Sequence, residues 1–127
     1  MDAELAPYGI NRTQFGLLKV LEAAGPGSQQ VLSGYLSMPP SRIVALVDDL
    51  EDQGFVARKR SSSDRRVNEI RLTREGRTVL ARANKTAVRW QDQLLVDLSE
   101  PERTQLFELL RRVAVRHLGG AAVHVHP

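Results

Sequence analysis

Residues 54–76 read Gly-Phe-Val-Ala-Arg-Lys-Arg-Ser-Ser-Ser-Asp-Arg-Arg-Val-Asn-Glu-Ile-Arg-Leu-Thr-Arg-Glu-Gly, and the fold turns on this stretch. Residues 55–60 have the character of extended chain. Ser61, Ser62, Ser63 and Asp64 follow, with short polar side chains that bond to their own backbone and favour turns. Glu69, Ile70, Arg71 and Leu72 alternate charged and apolar residues, as a half-buried strand requires. Strand, polar turn and strand make a β-hairpin with a basic loop. Thr73, directly after it, carries a hydroxyl that can cap a following helix.

Upstream, three helices are expected. Asn11 can cap the first, with Gln14 in the position of a capping-box partner. Ile10 and Phe15 are spaced as a hydrophobic staple, and Phe15, Leu18 and Leu21 form an apolar face. Gly25-Pro26-Gly27 stops this helix. Ser28 can cap a short second helix to about residue 36, with Leu32, Tyr35 and Leu36 facing inward. Ser37-Met38-Pro39-Pro40 breaks it. The third helix is predicted over 40–53, with Ile43, Val47 and Leu50 on one face and Gly54 just past its end. Two helices joined by a break of a few residues are the pattern of a helix-turn-helix.

Downstream, a long helix from Thr73 to about residue 97 carries Val79, Leu80, Ala83, Ala87, Trp90 and Leu94 mostly at spacings of three and four. Ser99-Glu100-Pro101-Glu102 is a second capping box, opening a last helix with Leu106, Leu109, Leu110 and Val113. So small a body cannot cover both apolar stripes, which points to a second copy of the chain. The fold class is mainly α (α+β), a winged helix-turn-helix with a two-stranded β-hairpin wing and two C-terminal dimerisation helices. The 127 residues fit a single domain, 1–127. Within it, 10–77 is the winged helix-turn-helix part and 78–119 the dimerisation part.

Composition narrows the function. No apolar run approaches the roughly 20 residues of a membrane span, and Met1-Asp2-Ala3-Glu4 lacks a leader's apolar core, so a cytoplasmic protein is expected. The absence of cysteine removes disulfides, thiolate metal sites and thiol redox sensing. The net charge is +3, but residues 57–77 alone carry +5, so the positive charge is gathered around the hairpin. Such a patch attracts polyanions by Coulomb steering and counterion release.

These residues resemble the wing of the MarR family (multiple antibiotic resistance regulators). Its hallmark is an Asp-x-Arg tip followed by a strand ending in Leu-Thr-x-x-Gly, here Asp64, Arg66, Leu72, Thr73 and Gly76. Residues 47–56 resemble the end of that family's recognition helix, and Thr13-Gln14-Phe15 its second helix; the likeness covers about residues 5–118. The resemblance implies a homodimer on double-stranded DNA with a palindromic operator. The third helix would lie in the major groove and the wing would reach the flanking minor groove. It also implies a repressor released by a small aromatic or phenolic effector bound between the DNA-binding and dimerisation parts.

The candidate DNA contacts follow from this placement. Ser41, Arg42 and Ala45 stand near the start of the third helix, away from its core face, where a recognition helix reads base edges. Arg42 has the donors to bridge guanine O6 and N7, worth about 1–3 kcal/mol of discrimination; a phosphate contact is its alternative role. Arg60, Arg65 and Arg66 are the wing's cations, suited to a narrow minor groove. Asp64 would hold a neighbouring arginine in place. Ser28, Gln29 and Gln30 begin the second helix, where phosphate is bound through side chains and free amides.

Three departures from the family pattern carry expectations. A full helix usually precedes the segment matching 6–13, where this chain has a handful of residues; either the start is short or the dimer leans on the last two helices alone. Asp48, Asp49, Glu51 and Asp52 would repel phosphate and should point away from it. Pro39 has no side-chain oxygen to cap the third helix, which leaves Ser37 or water to do so. His117, His124 and His126 lack neighbouring carboxylates or thiols for a metal site, and no catalytic constellation is evident, so neither cofactor nor enzyme activity is expected. A winged-helix protein–protein module without DNA binding is the alternative function.

Overall fold

The computed structural model describes residues 1–60 and 68–118, with side chains of the last helix described as far as Ala114. The expected wing-tip residues Asp64, Arg65 and Arg66 lie outside the described residues, as do His124 and His126 and the side chain of His117. In chain order the elements are α1 (Asp2–Leu5), a 3₁₀ turn (Ala6–Tyr8), α2 (Arg12–Ala24), β1 (Gly27–Ser28), α3 (Gln29–Leu36), α4 (Pro40–Asp52), β2 (Val56–Arg60), β3 (Asn68–Leu72), α5 (Arg74–Leu94) and α6 (Glu100–Leu118).

The starts of α2 and α3 are set by side-chain oxygens. Asn11 Oδ1 accepts from the Gln14 amide at 2.9 Å, and Gln14 Oε1 accepts from the Asn11 amide at 3.0 Å. This is the reciprocal box read from the sequence, and the staple residues Ile10 and Phe15 are both buried. Ser28 Oγ accepts from the Val31 amide at 3.2 Å and starts α3. Pro39 gives α4 no side-chain cap, but its carbonyl accepts from the Arg42 and Ile43 amides.

Helix α4 ends in a Schellman motif. The Gly54 amide donates to the Glu51 carbonyl and the Phe55 amide to the Leu50 carbonyl, both at 2.9 Å. Gly54 sits at φ 83°, a left-handed conformation that glycine adopts without a Cβ penalty. The chain therefore turns out of α4 directly into β2.

Strands β2 and β3 pair antiparallel, with Val56 opposite Leu72, Arg58 opposite Ile70 and Arg60 opposite Asn68. The sheet has a third strand that the sequence reading did not include: β1 pairs with β3, placing Gly27 opposite Ile70 and Ser28 opposite Glu69. Two residues are too few to show an alternating pattern, so pairing alone reveals β1.

The core joins the buried faces of these elements. Leu17, Leu18 and Leu21 of α2 meet Leu32 of α3, Ile43, Val47 and Leu50 of α4, Val56 and Ile70 of the sheet, and Val79, Leu80 and Ala83 of α5. Each of these leucine, isoleucine and valine side chains contributes about 1.5–3 kcal/mol by leaving water. The N-terminal residues belong to this core. Leu5 is fully buried, and the Tyr8 hydroxyl lies 2.7 Å from Thr86 Oγ1 on α5. The few residues ahead of α2 thus form a helical turn docked on α5.

The C-terminal helices depart from expectation in two ways. Helix α5 ends at Leu94, not near 97, and Leu94 is 65% exposed, while Trp90 is half-buried. In α6 the residues buried by the chain itself are Phe107 and Ala114, whereas the expected stripe members Leu109, Leu110 and Val113 are exposed. The single chain covers one side of α6, half-buries Leu106 of the expected stripe and leaves Leu109, Leu110 and Val113 bare.

Candidate nucleic-acid interface

Helix α4 buries Ile43, Val47 and Leu50 and exposes Ser41, Arg42 and Ala45, the three residues predicted to face a ligand. Arg42 forms no ion pair among the described residues, so its guanidinium is available. Val44 is 36% exposed on the same helix. A valine next to Ile43 gives no signal in the sequence that it faces outward. An exposed aliphatic group here can meet a thymine methyl. Val31, 47% exposed at the start of α3, is likewise not among the predicted contacts.

At the start of α3, Ser28 and Gln29 are half-buried and Gln30 is exposed. The Ser28 hydroxyl serves first as the helix cap. In β2, Lys59 and the predicted contact Arg60 are both exposed as the strand leaves the body.

Arg58 has a different role from its neighbours. Its Nη2 lies 2.6 Å from Asp48 Oδ1 and its Nη1 2.8 Å from Glu51 Oε1, while its backbone amide donates to Glu51 Oε2 at 3.2 Å. Its side chain is only 21% exposed. Burial opposes the charge, but the hydrogen bonds to Asp48 and Glu51 outweigh it and hold the guanidinium pKa above its ordinary value. Two of the four acids on α4 thus bind the first cation of the basic strip, a pairing that spacing alone does not suggest. This tie sets the base of the hairpin against the C-terminal half of α4.

The junction between hairpin and α5 rests on Thr73 and Gly76. The Thr73 hydroxyl donates to the Gly54 carbonyl at 2.5 Å and accepts from the Gly76 amide at 3.0 Å, and the Thr73 amide donates to the Phe55 carbonyl at 3.1 Å. The Leu-Thr-x-x-Gly spacing is thereby explained as a cap that fastens α5 to the exit of α4.

A cavity of about 420 Å³ opens between α2, α5 and α6, lined by Lys19, Glu22, Val88, Gln91, Arg103 and Phe107 among others. Arg103 is anchored there by Asp92 at 2.9 Å and by the Leu95 carbonyl at 2.9 Å. Among the described residues no helix is long and apolar enough to cross a membrane, and no group of three or more potential metal ligands comes together.

A helix pair with a tight break, followed by a hairpin whose base is bound to the second helix, defines a winged helix-turn-helix protein. The profile of the MarR family matches residues 8–67. The HTH-type transcriptional regulator BilQ of Clostridium symbiosum (strain WAL-14163) is 32% identical over 114 residues, covering 87% of this chain and 77% of that protein. A putative transcriptional regulatory protein for the hcr operon of Thauera aromatica is 34% identical over 106 residues, covering 83% of this chain. The crystal structure of a MarR-family transcriptional regulator from Rhodococcus sp. RHA1 superposes with a TM-score of 0.79 at 26% identity, covering 89% of this chain and 81% of that one. The chain belongs to the MarR family. It spans less than two thirds of the length of two of the curated relatives it matches, 64% and 63%.

Proposed function

We propose that this protein is a cytoplasmic DNA-binding transcription regulator without enzyme activity, working as a homodimer on a palindromic operator. The observation that carries this reading is the union of two features. Helix α4 exposes Ser41, Arg42 and Ala45 on the side away from its buried Ile43, Val47 and Leu50, and the hairpin with exposed Lys59 and Arg60 is bound to that same helix through Arg58. Residues 10–77 then form the DNA-binding part and 78–119 the dimerisation part. Arg42 reads bases in the major groove, with Ser41, Ala45 and Val44 beside it. Arg60, Arg65 and Arg66 serve the minor groove, Asp64 orients an arginine, and Ser28, Gln29 and Gln30 hold phosphate.

The apolar groups Val88, Leu94, Val96, Leu109, Leu110 and Val113, each 47% exposed or more, support the second copy. The cavity between α2, α5 and α6 supports a small aromatic effector. Phe107 and Val88 offer apolar wall, and Lys19, beside the acids Glu22, Asp92 and Glu100 and the Asp92-paired Arg103, is the cation left to meet a phenolate or carboxylate. Release from the operator follows if the effector favours a dimer whose two α4 helices no longer match successive major grooves, about 34–36 Å apart.

The test is DNA binding by the purified protein across a range of salt, with bound fragments selected from random duplexes. Affinity should fall linearly in log–log form with added salt. Arg66→Ala should weaken binding to all sequences and flatten that slope by about 1. Arg42→Ala should relax preference at particular base pairs. A protein with no affinity for duplex DNA at low salt would refute the reading.

A further inference from the structure

We propose that Asp48 and Glu51 act as an internal stand-in for phosphate, holding Arg58 away from the duplex and so sharpening discrimination between operator and other DNA. The proposal rests on the DNA-binding reading above and goes beyond it, because it assigns a role to acids on the helix that meets DNA.

The geometry places carboxylates where phosphate oxygens would bind. The two terminal nitrogens of Arg58 each meet a separate carboxylate, at 2.6 and 2.8 Å, in the fork geometry a guanidinium offers to phosphate. The arginine is the covered partner, 21% exposed, while the Asp48 and Glu51 side chains are 56% and 40% exposed. A duplex against α4 would therefore meet the acids before the arginine. The site carries two negative charges and one positive, so it repels phosphate. By contrast, Lys59 and Arg60, the next two residues, are exposed and form no ion pair among the described residues.

Selectivity follows from the repulsion that the two acids add and not from the cation they withhold. Phosphate attraction is independent of sequence and supplies essentially all of non-specific binding. Discrimination is a difference between affinities, and weakening the competing complex raises it. A cation occupied by its own protein subtracts from every site equally. Added repulsion at the end of α4 weighs most on loosely docked complexes, which have no base contacts to offset it.

The test compares wild type, Asp48→Asn/Glu51→Gln and Arg58→Gln on a mixed-sequence 30-base-pair duplex and on a duplex selected by the wild type. Affinity is read by fluorescence anisotropy at several salt concentrations, with circular dichroism melting as the folding control. The double variant frees Arg58. Its slope of log affinity against log salt should steepen by about 0.9, one more phosphate, and its mixed-sequence affinity at low salt should rise about 3- to 10-fold, lowering selectivity. Arg58→Gln should weaken both duplexes with no flattening of the slope. Should the double variant not fold, Asp48→Asn alone carries the same expectation at smaller size.

An unchanged slope and affinity in the acid variants would overturn the proposal. A slope flattened by about 0.9 in Arg58→Gln would do so too, because Arg58 would then be a phosphate ligand in the wild type. Both results leave the DNA-binding reading standing. A wild type that binds neither duplex removes that reading and this proposal together.

Discussion

The carbonyl oxygen of Phe55 lies 2.0 Å from where a Cβ on Gly76 would stand, so the chain leading from α4 into β2 meets the first turn of α5 backbone to backbone. Only glycine permits that approach, and the obstacle is main chain, which cannot rotate aside. Gly76→Ala should cost about 2–3 kcal/mol by overpacking, seen as a fall of roughly 10 °C in melting temperature. A wild-type melting curve for this variant would show that the junction yields, and the close approach would lose its importance.

Leu5 is fully buried against the core although it belongs to a four-residue helix at the start of the chain. Leu5→Ala should destabilise the fold by about 2–4 kcal/mol, as for other buried leucines. Chemical denaturation gives the number. A loss under about 0.5 kcal/mol, the range of surface substitutions, would mean that the N-terminal turn is dispensable to the core.

The exposed stripe of α6 predicts the oligomeric state. Leu110 is 47% exposed and Val113 60% exposed, on a helix that has already buried Phe107 and Ala114. Leu110→Glu places a charge in the proposed interface, where an unpaired buried charge is strongly unfavourable. Light scattering should show wild-type dimer becoming monomer, with operator affinity lost alongside. A variant that remains a dimer would move the interface elsewhere.

At the start of α6 the Ser99 amide donates to Glu102 Oε1 at 2.9 Å, and the Glu102 amide donates to Ser99 Oγ at 3.3 Å. The backbone bond from Ser99 chiefly, and its side chain second, hold the Glu102 carboxyl below the ordinary glutamate range. A depressed folded-state pKa means the contribution is present above the unfolded value and disappears as pH falls through the folded one. The first turn of α6 should therefore loosen only on the acid side. A carboxyl-detected NMR titration checks this: Glu102 should titrate below an unperturbed glutamate, and Ser99→Ala should return it only part of the way.

Much of this could be read in the chain because it is local. A cap needs its partner three residues away, so Asn11 with Gln14 and Ser99 with Glu102 declare themselves by spacing. Ile43, Val47 and Leu50 mark the buried face of α4 by helical period alone, and this leaves Ser41, Arg42 and Ala45 on the other side. The alternation through Ile70 and Leu72 identifies a strand by its own period of two.

What remained hidden depends on residues distant in sequence. Charge counting placed Arg58 with the other cations of the wing, and nothing local says that Asp48 and Glu51, ten and seven residues earlier, take hold of it. Strand β1 exists only through its pairing with β3, more than 40 residues on. Helical period could not say which side of α6 the single chain covers, since both sides carry apolar residues and only packing against α5 and α2 selects Phe107. Short-range bonding and periodicity are properties of a segment, whereas pairing, neutralisation and burial belong to surfaces that exist only once the chain has closed on itself.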